Sequence, residues 1–284
     1  MSEITALIQL LDDPDEGIFF EIKNKILSLG DDIIPELENT FETNFDPLVQ
    51  ERALDLIHQI QYSNTQKNLK LWKENGALNI LEGAIIVARY QYPDLDEAKV
   101  KKHIEQIKND IWLELTNDLT ALERVRVVNH ILFDIHTFSG NSQNFHAPQN
   151  SFINTVLENK KGNPLLLSIL YLCVTQSLKI PIYGVNLPEH FIVAYIDDSE
   201  FAYNTKIKNI LFYVNPFSRG TVFGKVEIDN FLKQLNLQQE NQYYQPCSNL
   251  DMIRRLLRNL MYTFEKLGYK EKFEEVKELL TQLM

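Results

Sequence analysis

Apolar positions recur with a helical period through the first 118 residues. Ile4, Leu7, Ile8 and Leu11 form one stripe, which Asp13-Pro14 ends because proline restricts its predecessor and cannot continue a hydrogen-bond ladder. Ile18, Phe19, Ile22, Ile26, Leu27 and Leu29 form a second, stopped at Gly30. Asp31 or Asp32 is then expected to cap a helix carrying Ile33, Ile34, Leu37 and Phe41. Asp46-Pro47 opens another, with Leu48, Val49, Ala53, Leu54, Ile57 and Ile60 on the inside. Further helices are expected over 77–92, over 95–115 with Asp94 as cap, and from a Thr120/Glu123 capping box through Ile135. No strand is expected before residue 138.

The pattern changes after Phe138. Residues 139–144 read as a polar loop, and Asn150 or Ser151 as the cap of a short helix containing Ile153, Val156 and Leu157. Gly162-Asn163-Pro164 is a strong helix start, with Asn at the N-cap and Pro at the first helical position. Residues 165–178 are apolar on almost every side, so this helix should be central and buried. Strands are expected over 180–185, 190–196, 201–205 and 210–215, with a turn at Asp197, Asp198 and Ser199. Helix returns over 226–237. A Gln/Asn/Tyr-rich connector then leads to two tail helices, the first capped by Ser248 and Asp251 and ended by Gly268. The expectation is an α+β protein in three parts: a helical leader (1–118), a core of a central helix on an antiparallel sheet (119–237), and a connector with a C-terminal helical hairpin (238–284).

Hydrophobic residues make up 44% and charged residues 24% of the 284, enough apolar material for a sizeable core. The formal net charge of −11 argues against nucleic acid, whose affinity rests on neutralising phosphates, and against an anionic membrane surface. Cys173 and Cys247 are too few for a disulfide framework. The start of the chain lacks a basic segment followed by an apolar one, and the longest apolar run, 164–174, is about half of a bilayer span. A cytoplasmic protein is expected. Outside position 190, the histidines at 58, 103, 130, 136 and 146 have no metal-ligand spacing and no Gly-rich phosphate loop occurs, so neither metal nor cofactor is expected.

Several stretches resemble known families. The Asp-Pro steps, 33 residues apart, resemble a short HEAT-like array, although a non-repeating bundle fits the same pattern. The tail hairpin, with Asn259, Tyr262 and Gly268, resembles a single tetratricopeptide repeat, which should pack on the sheet domain because one repeat cannot stand alone. Phe138 to Asn141, Pro148 to Ser151, Val156-Leu157, Gly162-Asn163-Pro164, Leu167-Ser168, Gly184 to Pro188 and His190-Phe191 occur in the order of the SirB-type branch of the transglutaminase-like superfamily. Asn215-Pro216-Phe217 and Arg254, Arg258, Asn259 and Leu260 fit the same branch. The resemblance covers roughly residues 120–284. It implies a papain-like α+β core and a cytoplasmic location.

In catalytic members of that superfamily a Cys stands at the start of the central helix, where the helix N-terminus and a nearby histidine favour thiolate. A His on the next strand is base and acid, and an Asp on the following one orients it. Mapped onto this chain, the Cys position falls at or beside Pro164, His190 matches the His, and Asn215 replaces the Asp. Cys173 lies about nine residues into the helix, ~13 Å along its axis, too far to substitute. Ser168 is the one replacement hydroxyl in reach, against its plainer reading as a packing group in an apolar helix. His190 fits a pocket role and a fold-only role equally. Asn141 and Asn150 are either cleft residues or helix caps. Asp251 and Arg255 form an i, i+4 pair on the tail helix. The vestigial triad is therefore His190, Asn215 and Ser168, with Asn141, Asn150 and Pro164 as cleft candidates. The reading is a pseudoenzyme that works by binding a protein partner. The alternatives are a hydrolase or acyl transferase with an altered His190/Asn215 dyad and an unrecognised nucleophile, or a structural subunit with a vestigial cleft.

Overall fold

The computed structural model describes residues 3–197 and 209–284. The chain forms two compact units, Met1–Asn68 and Leu69–Met284. The first contains α1 (Glu3–Gln9), α2 (Glu16–Leu29), α3 (Ile34–Thr43) and most of α4 (Pro47–Glu74). Leu11, Ile22, Ile26, Ile33, Leu37, Val49, Leu56 and Ile60 share one core. Leu48 and Leu54, expected inside, are exposed. The spacing Val49, Ala53, Leu56, Ile60 already defines the buried face of α4, and positions one residue off it turn away by ~100°. Buried Arg52 ties the Asp13-Pro14 turn, donating to the carbonyls of Leu11 (2.8 Å) and Asp13 (2.7 Å) and pairing with Glu16 (2.9 Å). Neither Asp31 nor Asp32 caps α3. Residues Gly30–Ile33 close a 3-10 turn, and α3 begins at Ile34 with Pro35 in its first turn, where a missing N–H costs nothing.

The larger unit opens with α5 (Ile80–Gln91) and α6 (Glu97–Glu114), whose cap is Asp96 rather than Asp94: its side chain accepts from Lys99 N at 3.0 Å. The capping box of α7 (Ala121–Asn129) forms between Thr120 and Glu123, and the helix runs on into a π-helical turn, His130–Ile135. The segment read as a polar loop begins with a short strand, β1 (Ser139–Gly140), parallel to β2 (Lys161–Gly162). Between them lies α8 (Ile153–Asn159).

Helix α9 (Pro164–Ser177) is buried from Pro164 through Thr175. Within it Ser168 and Thr175 bond back to the carbonyls four residues earlier, and the Tyr171 hydroxyl donates to Asn129 Oδ1 at 3.1 Å, so these buried hydroxyls are not stranded. Helices α5 and α6, which the sequence groups with the leader, pack on α9, as do β3 and β4. The sheet is an antiparallel meander in the order β3 (Ile182–Val185), β4 (Ile192–Ile196), β5 (Ile210–Asn215), β6 (Thr221–Phe223). Val193 pairs with Val214, and Val214 with Val222. Strand β6, unexpected from periodicity, is three residues long. The strand expected over 201–205 and the turn residues Asp198 and Ser199 lie outside the described residues. After α10 (Lys225–Gln234), α11 (Asn249–Leu267) and α12 (Lys270–Leu283) pair as a hairpin. The Ser248/Asp251 capping box is present, Gly268 ends α11 in the left-handed conformation, and α11 packs on α9 and α5. No helix among the described residues is long and apolar enough to cross a membrane.

Candidate functional site

The start of α9 forms one wall of a cavity of ≈ 150 Å³, which Asn163, Pro164, Leu165, Ser151, His190 and Arg255 help to line. The parallel β1–β2 pair fixes the approach of the chain to this helix start. Asn163 caps it: its Oδ1 accepts from Leu166 N at 2.8 Å, and its Nδ2 donates to Ser151 Oγ at 2.9 Å. Its carbonyl takes the Leu167 N–H, while the Leu165 N–H has no acceptor among the described residues. An uncapped N–H at the positive end of a helix dipole is where a thiolate or an oxyanion is stabilised.

His190 sits two residues before β4, not within it as the sequence suggested. The turn that carries it needs Glu189 in the left-handed region (φ 56). The His190 ring lies edge-on to Phe217 (centroids 6.2 Å apart) and close to Phe231 (6.4 Å). Burial against these rings lowers its pKa below that of a free imidazole. A hydrogen bond with the Asn215 side chain opposes the shift, and the Arg255 charge adds to it. His190 is therefore held neutral. Asn215 ends β5 and caps the following turn, accepting from Phe217 N at 3.1 Å and Ser218 N at 3.3 Å. Gly140 lets Phe217 close over this corner, since a Cβ there would stand 2.6 Å from the ring.

His190, Asn215 and Pro164 thus come together around the α9 start. Ser168 does not join them. It is completely buried and its Oγ donates to Pro164 O at 2.8 Å, one turn below the cavity. Asn141 and Asn150 are absent from the cavity wall. They bond to each other at 2.9 Å, and Asn150 Nδ2 donates to the carbonyls of Asn144 (2.7 Å) and Phe145 (3.1 Å), closing the loop that leads to Ser151. The cap of α8 is Phe152. Burial pushes both thiols, Cys173 and Cys247, up to about 12, so neither is a nucleophile at neutral pH.

Of the wall residues that periodicity and spacing do not assign to the site, Ser151 and Arg255 matter most. The pattern makes Ser151 an alternative cap to Asn150; in the fold it is buried and its hydroxyl accepts from the Asn163 amide. Arg255 does not pair with Asp251, which instead binds Arg254 at 3.1 Å. The Arg255 Nη1 donates to Leu187 O (2.5 Å) and to Asn186 Oδ1, bracing the turn before His190, and its guanidinium lies 5.6 Å from the Phe191 ring. An Arg beside the apolar run Leu256-Leu257 was the available signal. A larger recess of ≈ 490 Å³ between the α5–α6 corner and α8 is a weaker candidate. Its one lining lysine, Lys99, pairs with Glu158 (3.2 Å), and its histidine, His103, meets Lys160 (2.8 Å). Among the described residues no group of three or more metal-ligating side chains could hold an ion.

These features define an α+β scaffold of one buried helix on an antiparallel sheet, with a histidine–asparagine pair beside the helix start. The model of the transglutaminase-like superfamily matches residues 98–258, more than half of the chain, and the chain belongs to that superfamily. It is 33% identical over 134 residues to a UPF0162 protein of Xylella fastidiosa (strain Temecula1 / ATCC 700964), covering 44% of this chain and 46% of that one. It is 24% identical over 255 residues to F-box only protein 21 of Mus musculus, covering 80% of this chain and 39% of that one. A UPF0162 protein of Vibrio cholerae is 23% identical over 118 residues. The matches span less than half the length of each of these relatives. No solved structure matches.

Proposed function

We propose that the chain is a non-catalytic transglutaminase-like protein that binds a segment of a protein partner in the cavity at the start of α9. The observation that carries this reading is Pro164 at the nucleophile position, with both thiols buried and protonated and the Ser168 hydroxyl turned back into its own helix. His190 and Asn215 stand on the scaffold, but neither Pro164 nor Ser168 supplies a nucleophile to attack an acyl carbon. We place the chain in the SirB-type branch and the cytoplasm, with 1–118 as a HEAT-like leader, 119–237 as the core and 238–284 as connector and tetratricopeptide-like hairpin. The likeness to F-box only protein 21 supports work through protein contacts.

A displayed random-peptide library tests this. Peptides are expected to enrich on the wild type and to be lost on Asn259→Trp, which fills the cavity. Equal enrichment on both proteins sinks the reading. One observation favours a second reading, a hydrolase or acyl transferase: Ser151 and His190 line the same cavity. Labelling by a fluorophosphonate that disappears in both Ser151→Ala and His190→Ala establishes that reading and overturns the first.

A further inference from the structure

The cavity at the α9 start has donors in excess. Arg255 spends Nη1 on Asn186 and Leu187, and its Nη2 and Nε meet no acceptor among the described residues. Among the described residues no carboxylate pairs with it, and Asp251, one turn away on its own helix, is taken by Ser248 and Arg254. Cys247, a further neighbour, stays a neutral thiol and supplies no counter-charge, and Arg258 adds a second positive charge nearby. Burial lowers the Arg255 pKa to about 10, which leaves it a cation at neutral pH. The Ser151 hydroxyl accepts from Asn163 and has no acceptor for its own proton among the described residues. The Leu165 N–H is the third donor without an acceptor, at the positive end of a 14-residue buried helix. All three residues line the same cavity, whose acidic member, Glu189, is exposed.

A half-buried guanidinium without a counter-ion is costly unless something anionic completes it. Two magnitudes narrow the anion. A volume of ≈ 150 Å³ corresponds to about five water molecules at ~30 Å³ each, room for a carboxylate with a few carbons and not for a folded surface. The net charge of −11 repels polyanions at long range, so local hydrogen bonds must decide, and these favour a single planar carboxylate that a guanidinium fork grips in two places.

We propose that this cavity is a carboxylate subsite: Arg255, Ser151 and the α9 N-terminus together hold one carboxylate of a bound peptide, with His190 on the adjacent wall. The assignment rests on the peptide-binding reading of the same cavity and names the group that enters it.

Small probes test it by NMR on the full chain. N-acetylglycine presents a terminal carboxylate, N-acetylglutamate α-amide a side-chain carboxylate, and N-acetylglutamine amide neither. Fragments of this size bind with Kd on the order of millimolar, so titration to about 20 mM suffices. At least one carboxylate probe is expected to shift the Leu165 amide and the His190 ring, and to bind ≥ ~10-fold more tightly than the neutral amide. The stronger of the two names the source, chain terminus or acidic side chain. Arg255→Gln should abolish the preference. If that variant loses its fold, Ser151→Ala, which keeps the Arg255 clamp, should weaken carboxylate binding at least ~3-fold. Equal binding of all three probes, or none at the highest concentration, overturns the subsite. Library enrichment that survives this result leaves the peptide-binding reading standing and removes only the carboxylate. Loss of enrichment with carboxylate binding intact does the reverse.

Discussion

Replacing Pro164 by Cys puts a thiol at the first position of α9, and its titration reports how strongly this helix start favours negative charge. The background is silent, because native thiols with pKa values of about 12 carry roughly one thiolate in 10⁵ at pH 7. The new thiol stands beside the Leu165 N–H, which the Asn163 cap leaves without an acceptor among the described residues, with His190 in the same cavity. Such settings lower a cysteine from about 8.5 to roughly 6.5. At pH 7 that raises the thiolate fraction from about 3% to about 75%, ~25-fold. Intrinsic nucleophilicity falls as pKa falls, and a two-unit drop costs ~8-fold. The net gain in alkylation rate is only ~3-fold, so the rate at one pH is a poor readout and the midpoint of the pH–rate curve is a good one. Iodoacetamide alkylation from about pH 5 to 10 is the assay, with expected midpoint near 6.5 for Pro164→Cys and a higher one for Pro164→Cys combined with His190→Ala. The variant should fold, since losing a first-turn proline costs roughly 0.5–1 kcal/mol. A midpoint at or above about 8.5 refutes the argument that the α9 start stabilises negative charge, and with it one of the three donors of the carboxylate subsite.

Other outcomes follow from the packing. Gly220→Ala should lower stability by about 2–4 kcal/mol in a urea melt. The residue is in the left-handed region (φ 73), and its Cβ would stand 2.0 Å from Asn129 Oδ1, breaking the Asn129 bonds to Gly220 O and Tyr171. A loss below about 1 kcal/mol would show that this corner relaxes freely. Ser168→Ala should change stability by less than about 1 kcal/mol and leave peptide binding unaltered, because the hydroxyl only re-bonds a carbonyl within its own helix. A large binding defect would restore Ser168 to the site. Stability should also fall as pH drops below about 6.5. The pKa of His190 is lowered in the folded state, so the unfolded chain takes up the proton first; stability is full above the unfolded value and is lost toward the folded one. The slope from this group is at most ~1.4 kcal/mol per pH unit, and His190→Asn should remove it, leaving the contribution of His103, which is shifted the same way. An unchanged pH–stability curve in that variant would mean that His190 is not buried neutral.

The sequence was informative where one signal dominated. Asn163-Pro164 followed by an unbroken apolar run fixed α9 because capping chemistry and all-round burial agree there. The capping boxes at Thr120 and Ser248 were legible for the same reason: two residue types at fixed spacing satisfy each other's backbone groups. Strand β5 matched its expected ends, while β4 began two residues late, because the turn through Glu189 is braced by Arg255 contacts to Leu187 and Asn186, 68 and 69 residues away, rather than by local pattern. Arg255 itself illustrates the limit. From spacing, Asp251 is its natural partner; in the fold Asp251 is used by the helix cap and by Arg254, and Arg255 turns to Asn186. No one-dimensional rule ranks an i, i+4 ion pair against a long-range brace, since a surface pair is worth only about 0.3–0.5 kcal/mol and any buried hydrogen bond outbids it.

That brace also bears on why a histidine stands beside a helix start that begins with Pro164. A buried neutral imidazole is a poor structural choice: it carries two ring nitrogens to satisfy, and any apolar residue of similar size would pack against Phe217 and Phe231 at less cost. Its retained hydrogen bond to Asn215 keeps one nitrogen occupied and leaves the other for the cavity. The Arg255 charge disfavours the imidazolium, so the pair offers one fixed cation and one neutral partner, not two competing cations. For a general base, a lowered pKa in a desolvated site is wasted without a proton to accept. For a binding wall it is useful, because a neutral ring next to a carboxylate clamp neither adds a second desolvation penalty nor changes charge near neutral pH. A fold-only His190 makes a different prediction from a binding one: its replacement by Phe would stabilise the chain and leave carboxylate probes bound as before, whereas a wall residue would be stabilised by the same change and lose the probe.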